Sequence, residues 1–322
     1  MNDPADDSSP GRSCPLHYRY PPSVFARLPD VRTETLYVVG GLYGNRPALD
    51  AILTLFAREQ GAKALVFNGD FNWFNVDAAG FEIVNKVVLS YIALRGNVET
   101  ELASDARGAG CGCAYPEWVP DNEVRRSNQI LEQLRHTANR FPALRQQLGQ
   151  LPMHLVAQVG AARVGVVHGD ARSLAGWEFD VRALDDPAQR EQLNSAFAGA
   201  EVDGFASSHT CLPALRGFSV AGRDHWVINN GAAGMPNFAD TNFGLLTRIS
   251  TSGAPPGLSL YGLSTADIFI DALPILYDQI QWLAEFCTNW PPGSPGYESY
   301  YKRMLSGPDY EVGRAKLRGA AT

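Results

Sequence analysis

A chain of 322 residues with 45% hydrophobic and 19% charged residues has a globular composition and length for about two domains, or one large α/β domain. A formal net charge of −7 without a basic block argues against a phosphate-tracking nucleic-acid binder. No apolar stretch approaches the ~18–20 residues of a membrane span, residues 1–10 lack a signal-peptide core, and five cysteines without CxxC spacing fit a reducing cytoplasm better than a disulfide framework.

Residues 1–30 read as a flexible N-terminal segment, because the start is acidic and polar and Pro21-Pro22 opposes a long helix. Residues 36–39 are a short apolar run, read as a buried strand. Leu49, Ile52, Leu53 and Phe56 then recur at helical spacing behind Asn45 as cap and Pro47 in the first turn. Residues 64–67 read as a second strand, 81–88 as a helix and 91–94 as a third strand. This alternation predicts parallel β–α–β units. A loop-like stretch over 102–120, containing Cys111-Gly112-Cys113, precedes a helical insertion over about 121–150 that Asp121 caps. Strands resume at 163–167, 204–206 and 225–228, and strand-like runs follow at 243–249 and 258–263. Asp278 opens a helix with Ile280, Leu283 and Cys287 on one face, and 306–322 reads as a C-terminal tail.

The strands of this rhythm end in short polar turns: Gly44-Asn45, Gly69-Asp70, Gly96-Asn97, His168-Gly169, His209-Thr210 and Asn230-Gly231. Ligands of α/β sheets bind outside the carboxyl ends of the strands, so these turns converge on one site. A carboxylate, amides and imidazoles without thiolate suit Mn²⁺, Fe²⁺, Ni²⁺ or Zn²⁺. Each turn alone has an ordinary structural reading: Asp70 as a turn cap, Asn97 as a left-handed turn residue, either histidine as a hydrogen-bonded core residue. Their joint order carries the signal.

That order resembles the calcineurin-like metallophosphoesterase superfamily. The blocks are Gly41-Leu42-Tyr43-Gly44-Asn45, Gly69-Asp70, Gly96-Asn97-Val98-Glu99, His168-Gly169, Ser208-His209-Thr210-Cys211 and a run from Asn229 to Pro236. The likeness extends over about 36–305. It implies a four-layer α/β/β/α sandwich of two mixed sheets, with a domain over 31–305, and a two-metal site bridged by Asp70. The second ion would take Asp70, Asn97, His168 and His209, all present. The first would need Asp, His and His where this chain has Gly41, Tyr43 and Cys211, and the family's general-acid histidine falls on Val98.

Glycine offers no donor and a phenol with a pKa near ~10 is a poor ligand, so a mononuclear site is expected. The implied activity is hydrolysis of a phosphoester or pyrophosphate by a metal-bound water, with a small phosphorylated substrate as partner. The alternative is a catalytically weak or inactive relative that binds metal or a phosphate ligand as a sensor or scaffold. A homo-oligomer stays open. Asn45 and Arg95 are candidate substrate contacts, although a strand-terminal arginine commonly pairs with a surface carboxylate. Asp170 and Glu178 are candidate acceptors of a histidine N–H. The Cys111/Cys113 spacing is too short for zinc, which leaves a structural or lid role. The C-terminal aromatics read as core plus a packed lid or dimer contact.

Overall fold

The computed structural model describes residues 10–316, apart from 107 and 266. Twelve strands are present among these residues: β1 (Val31–Thr33), β2 (Thr35–Val39), β3 (Lys63–Asn68), β4 (Ile92–Leu94), β5 (His154–Val159), β6 (Ala162–Val167), β7 (Gly204–Ser207), β8 (Ala214–Val220), β9 (Arg223–Asn229), β10 (Gly244–Ser250), β11 (Tyr261–Ser264) and β12 (Phe269–Ile275). They form two mixed six-stranded sheets, ordered β1-β5-β6-β7-β9-β8 and β11-β12-β10-β2-β3-β4.

The apolar strand runs follow from burial on both faces. Leu36, Val38 and Val66 pack on Val164, Val166 and Ile228 of the facing sheet. Tyr37, Val39, Leu65 and Phe67 point the other way, onto Leu49 and Ile52 of the helix Arg46–Arg58 and onto Phe81 and Val84 of the helix Ala78–Val88. The helix Arg190–Ala200 covers the sheet that contains β7 and β9, with Leu193, Ala196 and Phe197 against Phe205 and Val227. The result is the α/β/β/α sandwich anticipated from the sequence. β2, β3 and β4 are parallel neighbours, as are β6, β7 and β9. Their carboxyl ends meet at one edge of the sandwich, which is what gathers the polar turns.

Four strands have no counterpart in the sequence reading, among them β12, whose stretch reads only as an apolar run. β1 has only three residues, β5 is the partner arm of an antiparallel hairpin with β6, and β8 contains Arg216-Gly217 in its middle. Residues 10–30 are not a loose arm. Tyr18 and Phe25 are fully buried, the Tyr18 hydroxyl donates to Glu101 at 2.6 Å, and Phe25 meets Phe205 edge-on at 5.4 Å. Apolar burial of these rings outweighs the polar start of the segment; residues 1–9 lie outside the described residues. The region after 305 also packs: Tyr310 is buried, donates to the Pro213 carbonyl at 2.7 Å and stacks on Phe238. Residues 317–322 of the expected tail lie outside the described residues.

The helices Asp121–Ala138 and Pro142–Gln150 insert Ile130, Leu134 and Leu148 into the core beneath Val98 and Leu102. Asp121 is the first helical residue there, and Pro120 occupies the cap position without a side-chain bond. Trp282, Phe286 and Trp290 are core residues, and Trp290 Nε1 donates to the Phe74 carbonyl at 3.0 Å. No helix among the described residues is long and apolar enough to cross a membrane.

Candidate metal centre

Asp70 follows β3, Asn97 follows β4, His168 follows β6 and His209 follows β7. His168 Nδ1 lies 2.8 Å from the Asn68 carbonyl oxygen. A carbonyl only accepts, so Nδ1 carries the proton and Nε2 presents its lone pair. The same reasoning applies to His209, whose Nε2 lies 3.0 Å from the Cys113 carbonyl oxygen and whose Nδ1 therefore faces inward. Asn97 Nδ2 donates to the Cys111 carbonyl at 2.9 Å, which turns Oδ1 toward the centre.

The inward atoms converge on His168 Nε2. His209 Nδ1 is 3.1 Å away, Asn97 Oδ1 3.2 Å and Asp70 Oδ2 3.3 Å. The donor atoms of Asp70, His168 and His209 all lie within 4.8 Å of one another, and all three residues are buried. Metal–ligand bonds of about 2.0–2.2 Å place neighbouring donors roughly 3–3.5 Å apart. With neutral rings, four acceptors face one another with no proton among them, so the donor set fits a divalent cation.

The scaffold beneath them is tight. Asp70 adopts a left-handed backbone, φ 53°, which an L-residue holds at a cost of about 1–2 kcal/mol. Glu99, fully buried, fixes this turn by accepting from the N–H groups of Asp70 (2.7 Å), Phe71 (3.1 Å) and Gly96 (3.1 Å). A Cβ on Gly96 would lie 2.3 Å from Asp70 Oδ1, so only glycine lets the helix Asn97–Ala103 approach so closely.

Burial and the Asp70 charge push Glu99 up to about 7. Burial opposes ionisation of Asp70, yet the neighbouring His168 holds its pKa below the ordinary value. Burial likewise opposes charge on His168, but the Asp70 carboxylate outweighs it and raises the pKa. Burial and the neighbouring His168 push His209 down to about 4.

A proton and a metal ion would therefore compete for His168 Nε2. Since His168 titrates above the ordinary ~6.5, apparent metal affinity should fall about tenfold per pH unit below its raised pKa and level off above it. In the metal-free protein the sign reverses: while Asp70 is ionised, the charged His168–Asp70 pair stabilises the fold below the unfolded histidine value and is lost as pH rises through the folded one. It is lost again as pH falls through the lowered pKa of Asp70. Competition titrations between pH 6 and 9 measure this, and a pH-independent affinity would remove His168 from the ligand set.

Gly41, Tyr43 and Cys211 also come together, but as a filled pocket. A Cβ on Gly41 would meet Tyr43 Cζ at 2.1 Å, so the phenol ring occupies the space an aspartate would need. The Tyr43 hydroxyl lies 2.9 Å from Cys211 Sγ. Burial raises both pKa values, with the Cys211 charge a further cause at Tyr43, so both groups stay protonated and neither is an effective donor to a hard ion.

Asn45 and Arg95 do not reach the site. Asn45 caps its helix through Oδ1 to the Ala48 N–H at 2.9 Å and donates Nδ2 to the Gly234 carbonyl at 2.9 Å. Arg95 turns away and donates to the Gly149 carbonyl at 2.7 Å. Asp170 accepts from the N–H groups of Arg172, Ser173 and Glu178, and Glu178 accepts from Gln192. The histidine partners are backbone carbonyls instead.

A cavity of about 350 Å³ opens over the centre and includes Asp70, Asn97, Val98 and His209 in its wall. The rest of the wall includes the aromatic rings of Tyr43, Trp73, Tyr115, Trp118, Trp177 and Tyr300, the carboxylate residue Asp180 and the cations Arg182 and Arg303. Arg303, on the helix Pro295–Ser306, donates Nη2 to the Cys211 carbonyl at 2.7 Å and Nε to the Pro236 carbonyl at 3.3 Å. Sequence reasoning missed Glu99 as a turn-fixing group, the Cys111 and Cys113 carbonyls, Trp177 and Arg303. Only Glu99 carried a readable signal, its spacing of three residues from Gly96 at a helix start.

No protein-family model matches the sequence, and no curated protein matches it. Among solved structures, 85% of this chain aligns with 99% of a hypothetical protein from Pyrococcus horikoshii OT3, at TM-score 0.56 and 15% identity. A metallophosphoesterase from Sphaerobacter thermophilus aligns over 86% of this chain and 100% of its own, at TM-score 0.54 and 15% identity. The fold of this chain is thus that of the calcineurin-like metallophosphoesterases.

Proposed function

We propose that this chain, built on the metallophosphoesterase fold, hydrolyses a phosphoester or pyrophosphate of a small molecule at one divalent ion held by Asp70, Asn97, His168 and His209. The observation that carries the proposal is the convergence of four acceptor atoms whose other hydrogen bonds forbid a proton between neutral rings. Mn²⁺, Fe²⁺, Ni²⁺ or Zn²⁺ suits this nitrogen–oxygen set, and such an ion would polarise a phosphoryl oxygen and acidify water. Five free cysteines fit a reducing, cytoplasmic setting.

The protein's own groups divide the remaining work. The Asn68 and Cys113 carbonyls hold each imidazole in its ligating tautomer. The Val98 N–H donates to Asp70 Oδ1 at 3.2 Å, which orients the carboxylate. The Val98 side chain lines the cavity where the family resemblance places a proton-donating histidine. Without that donor, general-acid assistance worth about 10²–10⁴ is absent, so esters with good leaving groups are favoured.

The second reading, a binding protein for a phosphorylated ligand, draws on the Tyr43 ring that fills the other half of the site. Metal analysis of the purified protein, combined with phosphatase and phosphodiesterase assays across the four ions, separates the two. The expected result is close to one ion per chain and metal-dependent turnover. One ion without turnover under any metal would leave the binding role, and no bound ion would remove both.

A further inference from the structure

Resting on the single-ion reading above, the geometry points to a substrate class: the phosphate monoester of a planar aromatic alcohol, its phosphoryl group held by Arg303 beside the metal centre. Arg303 supplies the positive charge that a first metal ion would otherwise bring.

Arg303 is anchored on the filled half of the site through the Cys211 carbonyl. Among the described residues it makes no ion pair, and its Nη1 has no hydrogen bond. A guanidinium left free of carboxylates in a cavity wall is a ready partner for a phosphoryl oxygen, because it is planar, permanently charged and fork-shaped. Together with a divalent ion and the Asp70 carboxylate, and with Asp180 and Arg182 of the same wall offsetting each other, Arg303 leaves two net positive charges facing the cavity. That balances the dianion of a phosphate monoester.

The alcohol side is set by the opposite wall. His209 meets the Trp177 ring at 5.4 Å and 78°, and Trp177 meets Trp118 at 5.5 Å and 86°. Trp177 is fixed by donating Nε1 to the Cys113 carbonyl, so one aromatic wall runs from a metal ligand to the mouth of the cavity. Trp118 at the mouth is 52% exposed, and Arg182 holds it by stacking on its ring at 4.1 Å. An exposed, braced tryptophan at the end of such a wall suits stacking on a flat ring. A cavity of about 350 Å³ is at the small end of ligand sites, which fits a low-molecular-weight ester.

Leaving-group chemistry is compatible with the same class. Hydrolysis breaks the P–O bond to the alcohol and joins the water oxygen to phosphorus. The departing oxygen takes a proton either during the step or afterwards from solvent. With Val98 in the acid position, the alcohol leaves as its anion. A phenol, with a pKa near ~10, does so far more easily than an aliphatic alcohol, whose pKa is close to the ~15.7 of water.

The test uses non-hydrolysable probes on the full chain. Phenylphosphonate and methylphosphonate are titrated calorimetrically against metal-loaded and metal-free protein, with metal content measured in parallel. Phenylphosphonate is expected to bind at least tenfold more tightly than methylphosphonate. Arg303→Met should weaken both at least tenfold without changing metal content, and Arg303→Lys should recover part of the loss. Trp118→Leu, at an exposed position, should erase the preference for the phenyl probe and leave methylphosphonate binding unchanged. Equal binding of the two probes, or an Arg303→Met variant that binds like the parent, would overturn the proposal. If no metal binds but the Arg303 and Trp118 effects persist, the ligand class stands and the single-ion hydrolase fails. If metal and turnover are present without these effects, the reverse holds.

Discussion

Asp70→Ala and His168→Ala should each abolish metal binding and metal-dependent turnover. His168 Nε2 is the atom on which the other donors converge, at 3.1–3.3 Å, so its removal leaves no compact set. Loss of an outer hydrogen-bond partner alone commonly lowers metal affinity by about 10–100-fold, and loss of a direct ligand should exceed that. Asp70→Ala has a second consequence, since it removes the only carboxylate in the set and with it the charge that favours a dication. Cys211→Ala should barely change metal content, because Cys211 Sγ faces the Tyr43 hydroxyl. Elemental analysis of the folded variants reads all three. A Cys211→Ala protein that loses its ion while His209→Ala keeps one would reverse the assignment of the two halves.

Rebuilding the missing half should raise activity on an activated phosphodiester by at least about tenfold, through a second ion that clamps the leaving oxygen. The variant is Gly41→Asp, Tyr43→His and Cys211→His, which places three donors beside Asp70. The structure dictates the order of introduction. A Cβ at position 41 would lie 2.1 Å from Tyr43 Cζ and 2.3 Å from its hydroxyl, so Gly41→Asp alone should destabilise the fold by overpacking, about 1–3 kcal/mol or more. In the Tyr43→His background that clash is relieved, and the two substitutions should be strongly non-additive in thermal melts. Position 43 has φ 57° and position 211 has φ 60°, conformations the parent residues already adopt without glycine. A folded triple variant that still binds one ion or none would show that the pocket is gone, which favours the ligand-binding reading. Val98→His added to the triple variant should help most with poor leaving groups, where protonation limits the rate.

The strand rhythm and the convergence of its polar turns were legible from residue type at a repeating place, while the sandwich and the choice of four donors came from the likeness to a known family. Strands buried on two faces must be continuously apolar, as 36–39 and 64–67 are, and parallel connections send every following turn to the same edge. The family likeness collected Asp70, Asn97, His168 and His209 from positions as far apart as 139 residues without knowing any side-chain direction. Direction is what only the tertiary structure decided. Asn45 and Arg95 sit on the right turns, but each reached a closer backbone carbonyl, Gly234 and Gly149, and turned from the cavity. The tautomers of the two imidazoles are set by carbonyl groups of Asn68 and Cys113. Every residue carries such a carbonyl, so no side chain announced it. Arg303 and the Tyr43 ring belong to the same class: one is brought in by a late helix, the other lies over the missing Cβ of Gly41. Residue type sets what an atom can donate or accept. Which partner it meets depends on packing between segments distant in the chain, and that is fixed only when the two sheets close on each other.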